Sequence, residues 1–118
     1  MLSYRHAFHA GNFADVLKHA VLVNVLDYMC RKEKGFSYID SHAGAGMYQL
    51  ADEYAQKTGE YKDGIAKLFK LNDLPEALQD YVDLINTLNP DGELALYPGS
   101  PGIAKALLRR QDFAHLYD

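Results

Sequence analysis

The 118-residue chain has no tryptophan, one cysteine and four prolines, and each scarcity narrows what it can be. A single cysteine, Cys30, cannot close a disulfide within the chain, so the fold must rest on packing, as expected of a protein from a reducing cytoplasm. Cys30 lies in an apolar helical pattern and reads as a core residue. No apolar run approaches the roughly 18 residues that a membrane-spanning helix needs. No basic segment leading into an apolar stretch marks a secretory signal. A surplus of positive charge is also missing: the formal net charge is −4 with His neutral. Dedicated nucleic-acid binders usually carry a basic balance, because phosphate neutralisation supplies much of their affinity. If RNA is the partner, the cations must act locally, and Arg5, Lys18, Arg31, Lys32 and Lys34 are the candidates.

What is present is the composition of one globular domain, 48% hydrophobic and 24% charged. A chain of this size buries somewhat under about 70% of its unfolded surface. Asn12 followed by Asp15 predicts a capped helix start. Phe13, Leu17, Val21, Leu22, Val25, Leu26 and Met29 recur at helical spacing as far as the basic stretch 31–34, with Gly35 as the stop. Phe36 to Asp40 predicts a short strand, followed by the small-residue loop of "HAGAG". Tyr61 to Leu71 and Leu74 to Leu88 predict two amphipathic helices, broken at Asn72-Asp73-Leu74-Pro75. Asn89-Pro90-Asp91-Gly92 is a turn by composition. In "YPGSP", Ser100 is the expected cap and Pro101 the first residue of a helix reaching Arg110. Phe113 to Tyr117 predicts a second strand. Strand, crossover helix and strand imply parallel pairing in an α/β fold. The helical pair is then an insertion over 51–97. Two parallel strands do not finish a core, so the chain reads as the N-terminal part of a larger α/β protein.

The glycine loop carries the first chemical signal. Small residues after a strand let backbone amides approach a ligand, and open α/β sheets bind ligands at the carboxyl ends of their strands. The spacing is neither the dinucleotide fingerprint nor a phosphate loop, and a bare glycine turn without a ligand would look the same. Asp118, at the end of the second strand, suits an acid that accepts hydrogen bonds from ribose hydroxyls. Such an acid usually follows the loop by about 20 residues, an interval restored once the insertion is removed; a solvated terminal aspartate is the plain alternative. Asp15, Lys18 and His19 share one helical face, as a site wall or as a solvated surface. A zinc reading would use His6 and His9 with His19 or His42, without a cysteine cluster to support it. Tyr4, Arg5, His6 and Phe8 mix aromatics with cations, as segments that clamp unpaired bases do. Tyr54, Tyr61, Phe69 and Tyr81 read as packing within the insertion.

Four segments, "MLSYRHAFHAGNFADVLKHA", "YIDSHAGAGMYQL", "TGEYKDGIAKLF" and "YPGSP", together resemble the N-terminal part of the bacterial 23S ribosomal RNA large-subunit methyltransferases of the J type. That family transfers a methyl group from S-adenosylmethionine to N6 of one adenine in 23S rRNA. The resemblance implies a class I methyltransferase fold, a Rossmann-like parallel sheet that is incomplete here, with a small helical subdomain inserted. The parts would be 1–50 (arm, first helix, first strand and glycine loop), 51–97 (insertion) and 98–118 (crossover helix and second strand). Position by position it implies that His19, His42 and Ser100 bind the cofactor, with backbone at Gly44 and Gly46 facing its methionine end. Asp118 falls where the family has a ribose-binding acid, typically glutamate. Tyr4, His6 and Lys18 match positions tied to the target adenine and activity. The family's Asp-Pro-Pro-Tyr motif is absent. That motif accepts the amino hydrogens of an adenine whose N6 lone pair is delocalised and whose base is turned out of its stack. The expectation is therefore a chain with 23S rRNA as its partner that binds at most parts of the cofactor and does not transfer methyl by itself. A non-catalytic RNA- or nucleotide-binding module is the alternative.

Overall fold

The computed structural model describes residues 6–118. Tyr4 and Arg5, expected above at the target base and among the local cations, lie outside the described residues. Helix α1, Phe13–Met29, begins as expected: Asn12 accepts the Asp15 backbone N–H through its side chain at 2.9 Å. Asp15 does not reach back to the cap residue. Its carboxylate accepts from the Gly11 N–H at 3.1 Å and from His6 Nε2 at 2.7 Å. The helix also stops earlier than expected, with Cys30 rather than Gly35 closing it. The carbonyls of Cys30, Lys32 and Lys34 accept instead from the Arg109 guanidinium, which Asp112 holds in place. A side chain thus satisfies the groups that another helical turn would have used. Cys30 is half-buried, with its thiol donating to the Leu107 carbonyl at 3.6 Å, rather than a core residue.

The expected apolar positions of α1 divide between two faces, with Leu22 and Leu26 toward the core and the rest toward solvent. Phe13 and Leu17 are 75% and 69% exposed, and Val21, Val25 and Met29 are exposed as well. The buried face consists of Asp15, His19, Ala20, Val23 and Leu26. Apolar residues occur all round this helix, so periodicity alone does not choose a face. Packing against two later helices, described next, chooses it.

Strand β1, Ser37–Asp40, pairs in parallel with the last strand, β4, Phe113–Leu116, in the register Ser37 to Phe113 and Asp40 to Leu116. The crossover between them contains a second sheet that the sequence reading missed. Strands β2, Met47–Gln49, and β3, Leu96–Pro98, form an antiparallel ribbon with Tyr48 opposite Tyr97. At three residues each, within glycine- and proline-rich segments, they carry no readable alternation.

Between β2 and β3 lie α2 (Glu53–Thr58), a 3₁₀ turn (Glu60–Lys62), α3 (Ile65–Phe69) and α4 (Glu76–Leu88). The helix expected over Tyr61–Leu71 is divided at Gly64, where the chain passes so close to Gly11 that a Cβ would sit 2.1 Å from its carbonyl oxygen. The break before α4 is present, with Asp73 at φ 59°. The turn after α4 is pinned by buried Asn89. Its side chain donates to the Ile85 and Leu96 carbonyls and accepts from the Ala95 and Leu96 amides. Helix α5, Ser100–Leu107, packs on α1 and β1. Its cap is Gly99, one residue before the expected Ser100, because the serine hydroxyl is engaged elsewhere. The core gathers Ile65, Tyr81, Ile85, Tyr97 and Ile103 among α1, α4, β3 and α5. The opposite sheet face leaves Ile39, Phe113 and Tyr117 exposed. No helix among the described residues is long and apolar enough to cross a membrane.

The entry of β1 into the sheet depends on Gly35, where an added Cβ would lie 2.1 Å from the Gln111 carbonyl oxygen. Gly35→Ala is expected to destabilise the chain by about 2 kcal/mol or more. Gly92→Ala, at φ 83° with nothing within 4 Å, should cost only about 1 kcal/mol from the backbone conformation. Chemical denaturation of both variants checks the difference.

Candidate functional site

The carboxyl end of β1 is organised by Asp40. Its Oδ2 accepts from the Tyr38 hydroxyl at 2.8 Å and from the Ser100 hydroxyl, and its Oδ1 accepts from the His42 N–H at 3.2 Å. Burial alone would raise this carboxyl. The hydrogen bonds from Ser100, Tyr38 and the His42 amide, with the Lys18 charge nearby, hold it below the usual range instead. The Tyr117 N–H donates to the Asp40 carbonyl at 2.8 Å and the Ala43 N–H to the Tyr117 carbonyl at 2.9 Å. The glycine loop and the end of β4 are thereby tied together, which brings Asp118 beside the loop.

Against these strand ends lies a cavity of about 710 Å³. Asp15, Lys18 and His19 of α1 form one wall; His42, Ala43, Gly44 and Ala45 form another; Ser100 and Asp118 complete it. Gly44 has φ 65°, where a residue with a Cβ would be strained. Gly46 does not line the cavity. Its carbonyl accepts the Gly99 N–H at 3.1 Å, and Gly102 packs against the same oxygen. Its small size thus serves the docking of α5. The cavity combines small residues, exposed backbone, carboxylates and one ammonium, which suits an elongated polar ligand with hydroxyls and mixed charge.

His19 is 1% exposed although its ring reaches the cavity. Burial pushes its pKa down to about 4, against a partial upward pull from Asp15, so the ring is neutral at physiological pH. Burial would raise Asp15. The hydrogen bonds from His6 and from the Gly11 amide, with the electrostatic influence of the two neighbouring imidazoles, hold it below the usual carboxylate range. His6 therefore meets the cavity in the grip of an ionised partner. His9 turns away to Glu60, 3.0 Å from both carboxylate oxygens. His6, His19 and His42 border the cavity without His9, and no group of three or more His, Cys, Asp or Glu suited to a metal forms among the described residues. Lys18 is exposed at the rim, with no ion pair among the described residues. Arg31, Lys32 and Lys34 follow the far end of α1, about 25 Å along the helix from its cavity end, and Arg31 pairs with Asp27 at 3.2 Å.

Asp40, Tyr48 and Tyr97 position the site and were not foreseen as doing so. Asp40 could have been found as the acid closing the first strand, whereas Tyr48 and Tyr97 depended on the unseen β2–β3 ribbon. Tyr54, expected as packing, lines the cavity and meets the Phe8 ring edge-on at 5.0 Å between centroids.

A family model described as "RsmJ: Ribosomal RNA large subunit methyltransferase D, RlmJ" matches residues 33–118. The chain belongs to this family. It is 53% identical over 116 residues to the Ribosomal RNA large subunit methyltransferase J of Escherichia coli strain K12, covering 98% of this chain and 41% of that protein. To the protein of the same name from Haemophilus influenzae it is 56% identical over 117 residues, again covering 98% of this chain, and 42% of the relative. The chain thus spans about two-fifths of the length of these curated relatives. Among solved structures, protein LPL1258 from Legionella pneumophila matches with a TM-score of 0.83 and 42% identity, over 92% of this chain and 39% of that one. The α/β arrangement with a small parallel sheet is thus shared with a solved member of a related group.

The depressed pKa of His19 has a consequence for stability. The unfolded chain takes up a proton near pH 6.5 that the folded ring takes up only near pH 4, so stability is fully present above 6.5 and is lost as pH falls toward 4. The shift corresponds to about 3 kcal/mol across that window. Urea denaturation at intervals from pH 7 to 4 should show a decline that is shallower in His19→Gln. Asp15 adds to the loss only below its ordinary range near 3.8.

Proposed function

We propose that this chain forms the cofactor-binding part of a cytoplasmic, S-adenosylmethionine-dependent methyltransferase acting on N6 of an adenine in 23S rRNA. One observation carries the reading. His19, His42, Ser100 and Asp118, which are far apart in sequence and match the family's cofactor positions, all border one cavity at the carboxyl ends of two parallel strands. The architecture proposed is the Rossmann-like class I methyltransferase sheet, with 1–50 and 98–118 as its parts and 51–97 as an inserted helical subdomain. The apolar residues exposed on the sheet and on α1 support a larger sheet in the whole enzyme.

The residues present fit the cofactor. A cavity of about 710 Å³ falls within the range for small-molecule sites. Asp118 is an acceptor for ribose hydroxyls, and the Ala43–Ala45 backbone, free of bulky side chains, suits the methionine end. The cofactor supplies an electrophilic methyl group on sulfur. The work of this chain is binding and orientation. His19 and His42 hold polar groups of the cofactor, while the Ser100 hydroxyl, engaged by Asp40, keeps the loop and the start of α5 in register. Lys18, unpaired at the rim among the described residues, is suited to an RNA phosphate. His6, held by Asp15, and Tyr4 would flank the target base. A second reading is a non-catalytic RNA- or nucleotide-binding module. Methyl transfer to 23S rRNA separates the two, because a module would bind and never transfer.

Calorimetric titration of S-adenosylhomocysteine into the chain should give saturable binding that His42→Ala weakens about tenfold or more, the loss of a hydrogen bond to a charged group. No binding by a folded chain would remove the cofactor-site reading. Lys18→Ala should weaken binding of a 23S rRNA fragment and reduce its salt slope by about one.

A further inference from the structure

A buried chain of hydroxyls ends at the cavity wall, and the function proposed above does not use it. Tyr81 of α4 and Tyr97 of β3 are fully buried, with their hydroxyl oxygens 2.8 Å apart. The Tyr97 oxygen in turn lies 2.6 Å from His19 Nδ1. Burial pushes both phenols up, so both keep their protons. Burial also keeps the His19 ring neutral, so one ring nitrogen carries a hydrogen and the other is bare.

The direction of the two hydrogen bonds follows from where the hydrogens can go. If Nδ1–H donated to Tyr97 and Tyr97 to Tyr81, the Tyr81 hydrogen would have no acceptor, since Tyr97 is the hydroxyl's hydrogen-bond partner among the described residues. If Tyr81 donates to Tyr97 and Tyr97 to a bare Nδ1, every hydrogen is used and only a lone pair on Tyr81 goes unmatched. A buried donor without an acceptor is the costlier defect. The second direction therefore prevails, and the ring hydrogen is on Nε2. That nitrogen has no hydrogen-bond partner among the described residues, and no buried side-chain nitrogen or oxygen there lacks one. Nε2 thus opens on the cavity that the ring lines.

We infer that Tyr97, whose hydroxyl accepts from Tyr81, acts as a positioning residue that locks His19 in the Nε2–H tautomer, presenting an uncharged hydrogen-bond donor to an acceptor atom of the ligand in the cavity. The identity of that ligand rests on the proposed function; the tautomer does not. The device also links the parts of the chain, because β3 supplies the hydroxyl that orients a side chain of α1.

The test is two-bond 1H–15N correlation spectroscopy of the 15N-histidine-labelled chain at neutral pH, with and without S-adenosylhomocysteine. The expected spectrum has a protonated-type Nε2 and a bare-type Nδ1 for His19, assigned with His19→Gln. Tyr97→Phe should abolish the single-tautomer pattern and weaken S-adenosylhomocysteine binding about tenfold. Tyr81→Phe, which also removes one buried hydroxyl, should keep the pattern because Tyr97 still donates to Nδ1. A hydrogen on Nδ1 in the unsubstituted chain overturns the inference even if the cofactor analogue binds. So does a Tyr97→Phe variant with unchanged tautomer and affinity. An Nε2–H signal that the analogue leaves unmoved upholds the tautomer lock and counts against the cofactor reading alone. Because the unsubstituted spectrum is decisive, a failure of either variant to fold does not leave the question open.

Discussion

Asp40 ends a strand, and its carboxylate gathers donors from its own strand, from the loop that follows and from the start of α5. Without it, the Ser100 hydroxyl at the first turn of α5 and the His42 amide of the glycine loop would lose the acceptor they share. Charge-assisted hydrogen bonds of this kind are stronger than neutral ones, and here they lie where the crossover returns to the sheet. The backbone repeats the connection: Tyr117 donates to the Asp40 carbonyl, and its own carbonyl receives Ala43. A site at the carboxyl ends of parallel strands needs its loops held to each other as well as to the sheet. Asp40 and its backbone meet both requirements.

The second constraint is the inward turn of the polar side of α1. Asp15 and His19 occupy positions that simple amphipathicity would give to apolar residues, and each arrives with its partners. Asp15 receives His6 and the Gly11 amide, and His19 meets Tyr97. Burying such groups is tolerable only when their hydrogen-bonding capacity is met, and no buried side-chain polar atom among the described residues lacks a partner. The partners come from the arm before α1 and from the β2–β3 ribbon. Helix α4 and strand β3 therefore contribute to the surroundings of the site as well as to the core, since Tyr81 and Tyr97 are among the largest fully buried side chains.

Much of this was legible in the residues themselves. The Asn12 cap, the two strands of the parallel pair, the turn at Asn89–Gly92 and the break before Pro75 all follow from local chemistry that later packing does not override. So does the shared face of Asp15, Lys18 and His19, because helix geometry makes positions three and four apart neighbours. Other features were beyond reach for stated reasons. The β2–β3 ribbon is too short to show a period. The early end of α1 depends on Arg109, which is distant in sequence. Gly46 looks like Gly44 in the sequence, yet one faces the cavity and the other faces α5.

The sequence by itself determined the α/β class, the order of the main elements, the capping chemistry and the family, because these depend on residue type and near-neighbour spacing. The tertiary structure alone decided which face of α1 is buried, which glycine meets the cavity and which hydrogen-bond partners hold Asp15, His19 and Asp40. Those outcomes depend on contacts between segments that are dozens of residues apart. A buried polar group is stable only where such a distant partner arrives within hydrogen-bonding distance, and local spacing carries no information about that arrival.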